Sequence, residues 1–151
     1  MSKPLKHLVL PVLILPLLLS ACGEVQDTRP GQPVAHRQQA FKAILRSFEP
    51  MGVQLREKRY DPDKFLKQAQ ELANLKDAPW SHFGPDTHYP PTKATARVWE
   101  EPERFAQERE QFLQRVDALA TAAATREEAR IRPAYDALQQ SCRSCHKPFK
   151  D

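Results

Sequence analysis

Apolar residues along this chain recur at intervals of three and four over four segments, and no stretch alternates as a strand would. The first segment runs from Val34 to about Leu55, with Val34, Phe41, Leu45 and Phe48 on one helical face and Pro50 and Gly52 expected to kink or fray its end. The second carries Phe65, Ala69, Leu72 and Ala73, follows a start signal in which Asp61 or Asp63 caps and Pro62 opens the first turn, and ends before Pro79. Residues 78–102 are rich in proline yet hold Trp80, Phe83, Tyr89 and Trp99, which predicts a loop packed onto the body of the domain. A third helix begins near Pro102 and presents Phe105, Phe112, Val116, Leu119 and Ala123. Thr125 and Glu128 form a capping-box pattern that opens a fourth, whose stripe is Ile131, Tyr135, Leu138, Cys142 and Cys145. Its core-facing stripe thus runs directly into the two cysteines. Four such helices with short or packed connections predict an all-α, antiparallel four-helix bundle over residues 34–151.

The beginning of the chain follows a different grammar. Lys3 and Lys6 precede an apolar run from Leu8 to Leu19, broken by Pro11 and Pro16 and too short for a membrane span. Leu19-Ser20-Ala21-Cys22 resembles the bacterial lipobox, so residues 1–21 are expected to be a lipoprotein signal peptide and Cys22 the lipidated first residue of the mature chain. Ordinary cleavage after Ala21 is the alternative. Residues 22–33, with glycine, two prolines and no periodicity, are expected to form a flexible tether. Acyl chains hold a domain at a bilayer without a spanning helix, which predicts a periplasmic protein anchored to a bacterial membrane.

Charge narrows the partners. The formal net charge of +4 includes Lys3 and Lys6; without them 21 Lys and Arg face 19 Asp and Glu, with the signs interspersed. No basic block or aromatic-basic stripe is present, so no nucleic-acid partner is expected. The three cysteines are Cys22 and one CxxC, which leaves none for a structural disulfide.

Cys142-Arg143-Ser144-Cys145-His146 is the motif that carries chemistry. On a helix, positions i and i+3 point the same way, so both sulfurs are placed to bond the two vinyl groups of one haem, with His146 one step round as axial iron ligand. A thioredoxin-like pair would follow a strand in a βαβ unit, and a zinc site would need a second ligand pair; neither pattern is present. Only Lys147 to Asp151 follow the motif in this sequence, so a sixth iron ligand is expected upstream or not at all. His36, His82 and His88 read as surface histidines, and Met51 as a core residue.

Taken together, these residues resemble cytochrome c′, the class II c-type cytochromes. The resemblance rests on Arg37-Gln38-x-x-Phe41, on Ala78-Pro79-Trp80-x-x-Phe83-Gly84-Pro85, on Trp99, and on Cys142-x-x-Cys145-His146-x-x-Phe149-Lys150. It implies one covalent haem c, five-coordinate with His146 as proximal ligand, in a bundle that is often homodimeric. It implies that Phe41, which has no ligating atom, occupies the blocking position on the distal side. It places Arg37 and Gln38 against haem and its propionates, and counts Trp80 and Lys150 among the cofactor-binding residues. Arg37 and Phe41 share one face at i and i+4, and haem propionates would supply the partner charge a buried arginine needs. Lys150 stands where relatives often carry Arg, and the segment from Gly84 to Trp99 is about two residues longer than the family pattern, leaving Thr92, Lys93 and Thr95 as alternatives at the haem edge.

Two functions from different classes follow. An open iron position under an apolar wall suits small diatomic gases, nitric oxide and carbon monoxide, and so scavenging or transport, with Phe41 as a steric gate. The alternative is a low-spin electron carrier that serves a respiratory chain through a periplasmic or membrane redox partner. A third reading is a haem-bearing subunit of a larger redox complex. No paired carboxylates, nucleophile triad or phosphate loop points to an enzyme.

Overall fold

The computed structural model of the chain describes residues 25–151. The signal segment, residues 1–21, and Cys22 lie outside the described residues. Four long helices, α1 (Pro33–Arg56), α2 (Pro62–Leu75), α4 (Pro102–Ala124) and α5 (Glu128–Phe149), form an antiparallel bundle, with a short helix α3 (Arg97–Glu100) and a 3-10 turn (Trp80–His82) in the long loop. No helix among the described residues is long and apolar enough to cross a membrane.

Neighbouring helices pack in chain order, α1 on α2, α2 on α4 and α4 on α5. The ring closes where Phe48 of α1 stacks on Tyr135 of α5 at 4.5 Å, and where Arg132 donates to the Leu55 carbonyl at 2.9 Å. The core stripes bury as their spacing predicts. Met51, Phe65, Leu119 and Ile131 are fully enclosed, and Ala69, Leu72, Val116 and Leu138 are 1% exposed. Each large apolar side chain so enclosed contributes about 1.5–3 kcal/mol of transfer free energy.

Two local expectations are corrected, at Leu45 and at Thr125. Helix α1 runs through Pro50 to Arg56, close to its expected end at Leu55. The hydrogen bond that Pro50 lacks falls at exposed Arg46, and the buried Met51, Gln54 and Leu55 hold the next turn to the core. Leu45 is 44% exposed, and Ile44 takes the buried position beside it. The capping box does not form: Thr125 closes α4, its hydroxyl donating to the Ala122 carbonyl and accepting from the Glu127 amide, while Glu127 precedes α5 without a side-chain cap.

Residues read as tether also hold the domain. Gln32, in the left-handed region at φ 41°, gives α1 no side-chain cap of its own. The buried carboxylate of Asp27 serves instead, accepting from the amides of Val34 at 2.9 Å and Ala35 at 3.2 Å and from the Tyr89 hydroxyl at 3.0 Å. An anion at a helix N-terminus satisfies unpaired donors and opposes the helix dipole favourably. Desolvation raises the Asp27 carboxyl, but its four hydrogen bonds outweigh that and leave it below its ordinary value.

The long loop packs as its aromatics predict. Its far end, Lys93 to Thr95, runs antiparallel to the end of α5, with an isolated bridge between Ala94 and Lys150. The Thr95 amide donates to the Phe149 carbonyl at 3.1 Å and the Thr95 hydroxyl to the Pro148 carbonyl at 2.8 Å. The N-terminus of α1, the loop, the start of α4 and the end of α5 therefore share one end of the bundle.

Candidate functional site

At that end, the last two turns of α5 present Cys142, Cys145 and His146. Both cysteines are half-buried free thiols, and Cys142 packs against the hydrophobic core. Burial pushes the Cys142 thiol up to about 11. Burial pushes Cys145 up to about 12, and the charges of Glu108 and Cys142 add to it. A redox-active CxxC pair needs a lowered thiol, and both of these are raised. His146 is exposed on its outer side. Desolvation first, and the Lys150 charge second, lower its imidazole, which favours the neutral form that ligates metals. Lys150 itself is exposed, and its amide donates to the His146 carbonyl at 3.0 Å.

An aromatic wall reaches this end of α5 through Phe149. Phe41 of α1 meets Trp80 edge to face at 5.5 Å and Phe83 at 6.3 Å. Trp80 packs in turn on Phe112 at 5.7 Å, and Phe105 sits 5.1 Å from Phe83 and 5.3 Å from Phe149. The Trp80 indole N–H donates to the Lys76 carbonyl at 2.7 Å, which locks the ring to the end of α2. Loop, α1, α4 and α5 each contribute a ring, so the wall exists only in the folded bundle.

Arg37 is 3% exposed. Its guanidinium donates to the His82 carbonyl at 2.9 Å, the Thr87 carbonyl at 2.8 Å and the Thr92 hydroxyl at 2.7 Å, and lies over the Phe83 ring at 4.7 Å. Gln38 donates from Nε2 to the Pro91 carbonyl at 2.9 Å. Both residues fasten the loop to α1. Their partners here are neutral oxygens.

The spacing anticipates Cys142, Cys145 and His146, and the family resemblance adds Phe41 and Trp80. Neither anticipates four others. Asp27 lies in a stretch without periodicity, and Phe105 and Phe112 read as ordinary core. Glu108, between Phe105 and Phe112 on α4, has Oε2 buried without a hydrogen-bond partner; a glutamate between Gln107 and Arg109 gives no sign of this in the sequence.

The other metal-binding side chains are engaged elsewhere. His36 stacks on His82 at 5.2 Å, His88 stacks on Trp99 at 5.0 Å, and Met51 is enclosed in the core. No cluster of three His, Cys, Asp or Glu that would hold a bare metal ion forms among the described residues. Two neighbouring free thiols, one imidazole and an apolar aromatic wall are a donor set that fits a covalently attached porphyrin.

Comparison with known proteins agrees with that donor set. The family model described as Cytochrome C' matches residues 32–150. A cytochrome c′ from Halomonas halodenitrificans is 30% identical over 128 residues, 80% of this chain and 97% of that protein. The crystal structure of cytochrome c′ from Rubrivivax gelatinosus superposes with a TM-score of 0.78 at 28% identity, covering 83% of this chain and 100% of that one. A ferrous variant of cytochrome c prime from Alcaligenes xylosoxidans with bound NO gives 0.76 at 26% identity, covering 82% and 97%.

Proposed function

The chain belongs to the cytochrome c′ family, whose members carry one covalent haem c, and on that premise we propose that it is a membrane-anchored periplasmic gas-binding cytochrome that scavenges or transports nitric oxide. Cys142 and Cys145 hold the haem through thioethers, and His146 is its single axial protein ligand. When bound, the haem supplies an iron centre with an open position for a neutral diatomic such as nitric oxide or carbon monoxide.

One observation carries this reading: the rings packed on the same core as Cys142 are Phe41 and Trp80, with Phe83 against Phe41, and none of the three has an atom that ligates iron. The alternative, a six-coordinate electron carrier, needs a ligand that Met51, His36, His82 and His88 do not supply from their positions in the fold. A relative with bound NO supports the choice of ligand.

The remaining residues have supporting roles. Phe41 gates the distal side by bulk. Arg37 and Gln38 set the loop in place, and the guanidinium of Arg37 would meet the propionates. Thr92, already fixed by Arg37, is the loop residue at the haem edge. Lys150 places a cation beside His146. Lipidated Cys22 anchors the domain, and the exposed Leu45 and Val53 on α1 offer an apolar face to a second copy in a homodimer.

Absorbance titration of the haem-loaded protein with nitric oxide tests this. A high-spin spectrum that shifts on gas addition is expected, and a low-spin spectrum indifferent to nitric oxide would favour the electron carrier.

A further inference from the structure

The segment before α1 joins the folded domain at Asp27, six residues ahead of the helix. The Asp27 carboxylate is buried and accepts from the amides of Arg29, Val34 and Ala35 and from the Tyr89 hydroxyl. Tyr89 belongs to the long loop, and its carbonyl accepts from the Thr92 amide at 2.9 Å. The Arg29 guanidinium closes this clasp from outside, lying 3.8 Å from the centre of the Tyr89 ring and donating to the Asp86 carbonyl. The clasp sits at the end of the bundle that carries Cys142, Cys145 and His146, because α1 begins where α5 ends. Outward of it, Val25 and Gln26 are exposed, and Val25 is an apolar side chain that the domain leaves uncovered.

We propose that the haem-bearing end of the bundle is its membrane-facing end, apposed to the lipid surface by a tether too short to turn the domain over. The inference rests on the proposed lipidation of Cys22. Asp27 is five residues beyond Cys22, and a fully extended chain spans at most about 18 Å over that separation. Helix α1 has 24 residues, which makes it about 36 Å long. With the opposite end on the bilayer, Asp27 would stand about twice as far from the lipid as the tether reaches. A bundle lying on its flank would need an apolar flank to rest on. The other exposed large apolar side chains among the described residues, Leu45 and Val53, lie on the α1 face assigned above to a second copy. Val25, three residues after Cys22, adds its own side chain to the lipid contact. The clasp matters as much as the spacing. Without it the free chain would run from Cys22 to Pro33, a reach of about 40 Å that would allow either end to approach the bilayer.

The test is lysine footprinting of the haem-loaded, acylated full chain on vesicles of phosphatidylethanolamine and phosphatidylglycerol, using a water-soluble succinimidyl ester and peptide mass spectrometry. Lys93 is exposed at the haem end, where its carbonyl accepts from the Asp151 amide. Lys58 and Lys64 are exposed at the opposite end, after α1 and in the first turn of α2. A reference variant carries a long glycine-serine insertion after Gly23, which lets the domain stand off the lipid. Lys93 is expected to react about threefold or more slowly in wild type than in the insertion variant, while Lys58 and Lys64 react alike in both. Asp27→Ala should move Lys93 toward the rate of the insertion variant, and a wild-type rate there would overturn the role of the clasp. Equal Lys93 rates in wild type and insertion variant would overturn the orientation. So would slowing at Lys58 and Lys64 to the same degree as at Lys93, which would put the bundle on its flank. Acylation and flotation of the wild type with the vesicles are read first: a chain without acyl groups overturns the proposed anchor and this inference with it, whereas an acylated chain with equal rates overturns the orientation alone.

Discussion

Arg37 reaches a residue 55 positions away in sequence and places Nη2 2.7 Å from the hydroxyl oxygen of Thr92. The same nitrogen donates to the Thr87 carbonyl, and Nη1 to the carbonyl of His82, so one guanidinium holds three points of the long loop. Replacing Arg37 with alanine strands those buried oxygens and is expected to cost about 2–4 kcal/mol in urea unfolding. Arg37→Lys should recover little, since an ammonium on a flexible stem cannot match the planar fork. Full rescue by lysine would show that charge alone, without geometry, holds the loop.

Phe41 should control how ligands reach the distal side. With Phe41→Ala the edge-to-face contact with Trp80 is lost and a void opens in the wall. Stopped-flow association of carbon monoxide with the ferrous protein is expected to accelerate by about tenfold or more, which is about 1.4 kcal/mol off the barrier. Unchanged rates would remove Phe41 from the role of gate.

Gly52 is required by the α1–α5 interface. A methyl group there would fall 2.2 Å from the Tyr135 hydroxyl oxygen and 2.8 Å from Arg56 Nη1. The arginine tip can swing away, but the tyrosine, stacked on Phe48, cannot. Gly52→Ala gains about 1 kcal/mol of helix propensity and is nevertheless expected to lose about 1–3 kcal/mol net through overpacking. In a Tyr135→Phe background the loss should shrink, and a double-mutant cycle by thermal or urea unfolding measures the coupling.

Asp27 gives the stability of the N-terminal clasp a pH dependence. Its carboxyl is lower in the folded chain than its ordinary value of 3.8, so its contribution is fully present above that value and is lost as pH falls through the folded one. Asp27→Asn should be less stable than wild type at pH 7, and the gap should close in acid below about pH 3.8. A gap independent of pH across that range would contradict the assignment.

The bundle was legible because each helix buries one stripe, and spacing records which residues lie on it. The haem motif was legible because attachment needs two thiols and an imidazole at fixed separation on a helix. Other features depend on contacts between distant segments, and no local pattern encodes them. Asp27 caps a helix six residues beyond its own position and binds Tyr89 across the fold. Helix α1 continues past Pro50 because tertiary burial of Met51 and Leu55 outweighs one missing hydrogen bond. Thr125 carries a capping signal that reads equally well as the end of one helix and the start of the next, and α4 uses it. Arg37 was read from the sequence as a residue facing haem; the fold adds that it also clamps the loop.

The mass of the intact, denatured protein after acid-organic extraction tests the central claim most directly. Protein from a host with working cytochrome maturation machinery should retain the mass of one haem, and the Cys142→Ala, Cys145→Ala double variant should not. A wild-type chain that surrenders its haem to extraction, or never carries one, would contradict covalent attachment through the last helix.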